Sequence, residues 1–467
     1  MNETSNELSP DPVRNEPRIE PRTLKGFRDY TPELMIAKEA MLDTIRRIFR
    51  SFGFVPIDTP ALEYTEILLG KGGGETDKQL YRFQDHGGRD VALRFDLTIP
   101  FARFAAQYGR QLGTPFKRYH IGPVWRGENP ARGRFREFWQ CDFDTIGTRS
   151  PLADLETALV IDHLLSGLGI DRFQIRLSDR GLLAGLLDEL ALSGHSASIL
   201  RALDKLERVG ETAVGSEIGT EAGASQAAIE ALFDFVRESG EPGTLLARLG
   251  ERFKSHPAAL AGVERLKLVI EGLRAAKVPE ERFRIDLSLA RGLDYYTGTV
   301  FETVLLDEPE VGSVCSGGRY DNLASLFTRD VLPGVGASLG LDRLLDAQSR
   351  MGSAAPSLAT AKVLVAVLAP ERATDYLLIA EELRAAGIPT ELYLDERKLD
   401  RQLQYANRKG IPVAIIAGAS ELDRGQIAIK DLRSGTQSDA VPREQLAARV
   451  AVLLEASPGA EMRGEER

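Results

Sequence analysis

The stretch FKRYHIGPVWRGENPARGRFREFWQCDFDTIG, Phe116–Gly147, decides the fold. Its two flanks, FKRYHIGPVW and GRFREFWQCDFDTIG, alternate in the manner of strands, and RGENPARG between them has the composition of a loop. The two flanks are expected to pair antiparallel. Between Trp125 and Gln140 the arginines Arg126, Arg132, Arg134 and Arg136 face only Glu128 and Glu137. Arginines two apart in a hairpin project from one face. A planar guanidinium fork suits phosphate oxygens better than a lysine point charge does. Charge alone leaves a plain solvated hairpin equally open.

Working outward, a long amphipathic helix is expected from Thr31. Thr31-Pro32-Glu33 offers an N-cap, a proline at the first helical position and an early acid. Leu34, Met41, Ile45, Ile48 and Phe52 follow at helical spacing, and Gly53 ends the run. FVPIDTP, LYRF and VALRFDLT have strand character, and PFARFAAQYG that of a helix. From about residue 180 to 275 the chain is rich in Ala, Leu, Glu and Gly with helical periodicity, a helical insertion between two halves of a sheet. Strand patterns resume at RFRIDLSLA and persist to the helix LGLDRLLDAQ. Beyond the linker, the apolar strands KVLVAVLA, PTELYL and PVAIIAG alternate with TDYLLIAEELRAAG and RKLDRQLQYANRKG. That is the pattern of a small α/β domain with a partly parallel sheet. The expected division is a disordered leader over 1–22, an α+β core on an antiparallel sheet over 23–348, a linker over 349–360, the α/β domain over 361–456 and a loose tail over 457–467.

Composition bounds the function. The 467 residues are 43% hydrophobic, enough for two or three domains. Lys and Arg number 59 against 69 Asp and Glu, a net charge of −10, so nucleic acid would have to meet local basic patches. Cys141 and Cys315 lie far apart, and the five histidines lack HxxxH or HExxH spacing, so neither a disulfide framework nor a metal site built by the protein is expected. Nothing approaches the roughly 18–20 apolar residues of a bilayer span. The polar, proline-bearing first 22 residues match neither a signal nor a transit peptide, which points to the cytoplasm.

Several further segments could carry chemistry. GKGGGETDK lacks the GxxxxGK[ST] spacing of a P-loop and is better taken as a mobile turn. In SGGRYDNL (Ser316–Leu323) and PGVGASLGLDRLL (Pro333–Leu345), glycines would let backbone approach a ligand or a facing strand. RGLDYYTG (Arg291–Gly298) sets Arg291, Asp294, Tyr295 and Tyr296 between strand-like flanks. Tyrosines of this kind serve as pocket walls or as plain packing.

Together these segments closely resemble the histidyl-tRNA synthetase family of class II aminoacyl-tRNA synthetases, over about Thr23 to Leu454. DTPALEY resembles the class II dimerisation motif, the Phe116–Gly147 hairpin the second motif, and GVGASLGLDRLL the third. LARGLDYYTGTVFE and SGGRYDNL resemble the two segments peculiar to histidyl enzymes, and LRFDLTIPFAR the segment that holds the substrate amine, here with Asp in place of the common Glu. The resemblance implies a class II catalytic core, a C-terminal anticodon-binding domain and a homodimer. The implied reaction activates L-histidine with ATP, accompanied by Mg²⁺, and transfers it to the 3′ end of tRNA(His), with no membrane involved.

It also implies residue roles. Arg126 would hold the α-phosphate, Glu128 place the adenine or the tRNA end, and Arg343 meet the γ-phosphate, with Arg134 beside them in the ATP site. Arg291 would approach the α-phosphate and the substrate carboxylate as an electrostatic catalyst. Asp96 would pair with the α-ammonium, helped by the Thr98 hydroxyl, with Leu97 also in the histidine site. Gln140 would contact the backbone end, and Asp144 and Tyr296, with Tyr295 close by, the imidazole nitrogens. A family glutamate commonly stands where this chain has Asp144. Such a site rejects analogues lacking the ring nitrogens by up to roughly 10⁴-fold, because its buried polar groups would be left unpaired. In the C-terminal domain Arg397, Lys398, Arg401, Arg408 and Lys409 outnumber Asp395, Glu396 and Asp400, with Tyr405 able to stack on a base. The insertion is expected to touch the tRNA arm. Two rivals remain at this level: a non-catalytic paralogue that regulates ATP phosphoribosyltransferase, and a synthetase for another amino acid. The C-terminal domain and RGLDYYTG weigh against the first, the histidyl segments against the second.

Overall fold

The structure, a computed structural model, describes residues 19–70, 79–131, 133–289, 295–350 and 358–455. Most of the leader, the glycine-rich loop, Arg132, Arg291, Asp294, the centre of the linker and the tail lie outside the described residues. Helix α1 (Pro32–Ser51) opens on its proline and buries Lys38, Met41, Leu42, Ile45, Ile48 and Phe49. Thr31 stands at the N-cap, but its side chain makes no capping hydrogen bond. After it come β1 (Val55–Pro56), β2 (Leu62–Tyr64), α2 (Thr65–Leu69), β3 (Arg82–Gln84), β4 (Asp90–Leu93) and α3 (Thr98–Leu112). The deciding hairpin follows as β5 (Phe116–Trp125) and β6 (Glu137–Ile146). It is antiparallel as expected, with Phe116 opposite Ile146 and Trp125 opposite Glu137.

Helix α4 (Pro151–Gly167) and β7 (Phe173–Asp179) precede the insertion, which is helical throughout its elements: α5 (Arg180–Glu189), α6 (Ser196–Leu203), α7 (Leu206–Val209), α8 (Glu211–Ala222), α9 (Gln226–Arg237), α10 (Pro242–Arg252) and α11 (Pro257–Ala275). The sheet then resumes with β8 (Phe283–Ile285), β9 (Thr299–Leu305), β10 (Ser313–Tyr320) and β11 (Gly334–Gly340), and α12 (Leu341–Arg350) closes this part. Among the described residues the large sheet has eight strands in the order β1-β5-β6-β11-β10-β9-β7-β8, parallel at its two outer pairs and antiparallel between. Strands β2, β4 and β3 form a small separate sheet.

Strand periodicity places the site. Cys141 and Phe143 of β6 enter the core, where the Phe143 ring lies 5.3 Å from that of Phe49 on α1. Gln140, Asp142 and Asp144 must therefore face the other side of the sheet. Full burial of such an apolar side chain contributes about 1.5–3 kcal/mol, so a one-residue slip in register would cost the core and the site together.

The C-terminal part has its own core around Val363, Tyr376, Leu383, Val413 and Leu446. Its elements are β12 (Val363–Val365), α13 (Ala373–Ala385), β13 (Thr390–Leu392), α14 (Leu399–Lys409), β14 (Val413–Ile416), α15 (Ala419–Asp423), β15 (Gln426–Asp431), β16 (Gln437–Pro442) and α16 (Leu446–Glu455). Strands β13, β12 and β14 are parallel, while β15 and β16 extend the sheet antiparallel. No helix of the described residues is long and apolar enough to cross a membrane.

Candidate active site

A cleft of about 660 Å³ opens over the polar face of β6, and a side recess of about 140 Å³ continues it beside the start of α12. Its floor is acidic. Asp96 and Asp144 line it; these two, Asp142 two residues from Asp144 on β6, and Arg118, which sits opposite Asp144 in the hairpin register, are each nearly inaccessible to solvent. Arg118 Nη2 lies 2.6 Å from the Asp144 carboxylate and 4.0 Å from that of Asp142, and donates to the Leu97 carbonyl at 3.2 Å. The Tyr320 hydroxyl donates to Asp144 at 2.6 Å, so this acid is gripped from two sides. The close fit continues behind it. A Cβ on Gly336 would fall 2.2 Å from Asp144 Oδ1, so the glycine permits the approach of β11 to that side chain.

Asp96 accepts from the Ile99 N–H at 3.2 Å and from the Tyr295 hydroxyl at 3.4 Å. Tyr295 meets Tyr296 edge to face at 5.0 Å and Tyr320 at 6.0 Å, forming an aromatic wall above the acids. Burial pushes the Asp96 carboxyl up to about 6, against the pull of the Ile99 N–H and Arg126. Burial likewise pushes Asp142 up to about 7, with Arg118 pulling down and Asp144 adding repulsion. Asp144 is raised by burial too, tempered by Arg118 and Tyr320. Asp142 and Asp144 share one buried arginine, and Asp96 feels Arg126 and Arg118 only through their charges, so the floor calls for a cation carrying N–H donors.

The opposite end is basic. Arg126 donates from Nε to the Phe95 carbonyl at 3.0 Å and lies 5.2 Å over the Phe138 ring. Arg343 is anchored on the Ser313 carbonyl at 2.5 Å. Arg134 stands 3.7 Å from Glu128. Burial first, then repulsion from Arg134 and Arg126, holds Arg343 below the usual arginine range. Three guanidinium groups crowded in this way are complementary to a polyanion. Gln140 stands between the ends: its Nε2 donates to the Ser338 hydroxyl at 2.9 Å, and its buried Oε1 has no partner among the described residues.

The pattern of a family described as Histidyl-tRNA synthetase matches residues 26–344, and that of an Anticodon binding domain matches 362–453. The chain belongs to the histidyl-tRNA synthetase family. It is 52% identical over 421 residues to the histidine–tRNA ligase of Rhodopirellula baltica, covering 90% of this chain and 95% of that one. The corresponding protein of Wolinella succinogenes is 42% identical, over 93% and 99% of the two chains. The crystal structure of histidyl-tRNA synthetase from Nostoc sp. PCC 7120 superposes with a TM-score of 0.84 at 35% identity, covering 93% of this chain and all of that one.

For a synthetase of this family the structure brings most of the expected residues together. Asp96, Thr98, Arg126, Arg134, Gln140, Asp144, Tyr295, Tyr296 and Arg343 line the cleft, and Glu128 lines the recess. Leu97 is buried and is not among the lining residues; its carbonyl accepts from Arg118. Arg291 lies outside the described residues. Arg136 differs from the expectation that it shares a face with Arg134. It turns away and donates to the Glu128 carbonyl at 3.0 Å, because Arg134 sits in an isolated bridge with Ala131 across the turn and strand alternation begins only at Glu137.

The sequence reading missed Arg118, Asp142 and Tyr320. Stepping by two from Asp144 finds Asp142, and hairpin register finds Arg118. Asp204 and Arg208 of the insertion also line the cleft, with no signal in the sequence to announce them. In the anticodon-domain match, Arg397, Lys398, Arg401 and Arg408 are exposed on or just before α14. Arg397 pairs with Asp395 at 2.8 Å. Tyr405 is half-buried, its hydroxyl donates to Glu391, and its ring meets Tyr393 edge to face at 5.3 Å. It is a fixed ring rather than a free stacking surface.

Proposed function

We propose that the chain, a histidine–tRNA ligase of this family, uses the two ends of the cleft for its two small substrates. The acidic floor takes L-histidine, the arginine end takes ATP, and the histidine carboxylate meets the α-phosphate between them, beside Gln140 and Arg126. The observation that carries this reading is the division of one cleft into a buried anionic floor and a cationic end.

Asp96 receives the α-ammonium, with Thr98 beside it. Asp144, held rigid by Arg118 and Tyr320, and the Tyr296 hydroxyl serve the two ring nitrogens, and Tyr295 closes the wall. Arg126 stabilises charge developing on the α-phosphate, Arg343 holds the γ-phosphate, and Arg134 and Glu128 border the nucleotide. Arg291 is assigned, from the family resemblance, to charge on the α-phosphate and the substrate carboxylate. The reaction needs no protein nucleophile: carboxylate attack on phosphorus depends on alignment and charge neutralisation.

Mg²⁺ entering with the triphosphate would supply charge neutralisation at this end. Glu128 and Glu302, whose charges both act on Arg343, offer hard oxygens for it. Residues 23–348 are assigned to catalysis and 361–456 to the anticodon arm of tRNA(His), through Arg397, Lys398, Arg401 and Arg408. A homodimer is supported by the exposed Val55 on edge strand β1, together with exposed Leu62, Tyr64 and Phe83 on the small sheet. We place the protein in the cytoplasm, where tRNA is charged.

The test is ATP–pyrophosphate exchange by the purified chain. Exchange that depends on histidine is expected. Histidine binding without exchange would overturn the reading.

A further inference from the structure

The segment LKGFRDY, Leu24–Tyr30, enters no step of the proposed reaction, yet it is fastened to both parts of the arginine end. The Arg136 N–H donates to the Gly26 carbonyl at 2.7 Å, and the Arg136 guanidinium reaches the Lys25 carbonyl at 3.4 Å as well as the Glu128 carbonyl. Arg28 stacks 4.1 Å over the Phe135 ring and pairs with Asp342, the residue before Arg343. Asp342 is 2% exposed, and also accepts from the Tyr30 hydroxyl at 2.5 Å and the Trp139 N–H at 2.6 Å. One buried carboxylate thus joins the start of α12, strand β6 next to Gln140, and this segment. Buried charged hydrogen bonds of this kind fix geometry because breaking any one strands its partner.

We propose that Leu24–Tyr30 is a positioning brace. It sets the Arg126–Glu128 side of the nucleotide site at a fixed distance from Arg343, with Gly26 and Arg28 as its two attachment points. The inference rests on the assignment of this end to ATP. Gly26 is the sharper handle. Its φ is +87°, and a Cβ there would come within 2.8 Å of Arg136 Cγ and 2.9 Å of Pro130 Cγ, so any side chain displaces the loop.

The experiment is steady-state histidine-dependent ATP–pyrophosphate exchange by the full chain, alongside Gly26→Ala and Arg28→Lys, with thermal melts of all three. Gly26→Ala is expected to raise KM for ATP by about 10–100-fold, the cost of a displacement near 1 Å. Arg28→Lys, which keeps the charge but loses the planar fork, is expected to raise it by a smaller factor. In both, KM for histidine stays at the wild-type value, while Tm falls by a few degrees because a strained backbone or a stranded buried carboxylate costs about 1–3 kcal/mol. An unchanged KM for ATP in both variants overturns the brace, and so does an equal rise in KM for ATP and for histidine, the mark of a merely structural role. Absence of exchange in the wild-type chain overturns the ligase reading and the brace with it. Wild-type exchange with unaltered variants removes the brace alone.

Discussion

The two ends of the cleft differ in charge and also in how they are built. The acid end rests largely on the sheet: Asp142 and Asp144 are β6 residues and Arg118 faces them from β5, while Asp96 stands between β4 and α3, and all are nearly inaccessible to solvent. The arginine end is borne by the loop after β5 and by the start of α12, and Arg134 is more than half exposed. A floor set in the sheet discriminates, because unpaired buried acids reject a ligand without the right N–H groups. The anchored arginines, Arg126 on the Phe95 carbonyl and Arg343 on the Ser313 carbonyl, are oriented in advance for charge that develops on phosphate in the transition state.

Breaking the arginine end should have the largest effect. Arg126→Ala is expected to slow pyrophosphate exchange by about 10³-fold, as for loss of one oriented donor to a developing charge, with Tm unchanged. Calorimetric melts beside kinetics check both halves. Breaking the acid end should cost less activity and alter stability in the opposite sense. Asp96→Asn should raise KM for histidine about 100-fold, through loss of a charged hydrogen-bond partner of about 1.5–3 kcal/mol. The same change should raise the Tm of the unliganded protein at pH 8. Burial lifts the Asp96 carboxyl to about 6, so its ionised form costs the fold about 2–3 kcal/mol there. A fall in Tm would mean that the floor is not under electrostatic strain.

A subtler change sharpens the comparison. Tyr320→Phe removes one of the two grips on Asp144 and should weaken histidine binding about tenfold while leaving ATP binding intact, the net worth of one hydrogen bond to a charged group. The smallest expected effect is in pH. Asp96 and Asp142 both have folded values above those of the unfolded chain, so the fold holds protons that the unfolded chain has released. The stability they supply is complete below about pH 4 and is lost as pH rises through about 6 to 7. The unliganded protein should lose about 5 °C of Tm between pH 5 and 8, and saturating histidine should flatten that slope.

What the sequence disclosed follows the same division. The β5–β6 hairpin was legible because alternation over ten residues on each side admits one pairing, and that pairing carries Gln140 and Asp144 to the cleft. Strand parity held the rest of the floor as well, but charged residues in a strand invite a solvent-facing reading, so Arg118 and Asp142 passed unnoticed. Loop geometry resisted: Arg136 sits two residues from Arg134 and points elsewhere, since the turn breaks the period. The β15–β16 hairpin was missed because β16 is exposed at five of its six residues and has no apolar alternation to display. Asp204 and Arg208 reach the cleft only through the packing of the insertion, which leaves no local trace.

The most direct test of a cleft divided by charge is a crossed calorimetric titration of histidine and ATP into Asp96→Asn and Arg343→Ala. The account predicts that Asp96→Asn loses histidine and keeps ATP, while Arg343→Ala loses ATP and keeps histidine. Loss of both ligands in either variant, or loss of the opposite one, would contradict it.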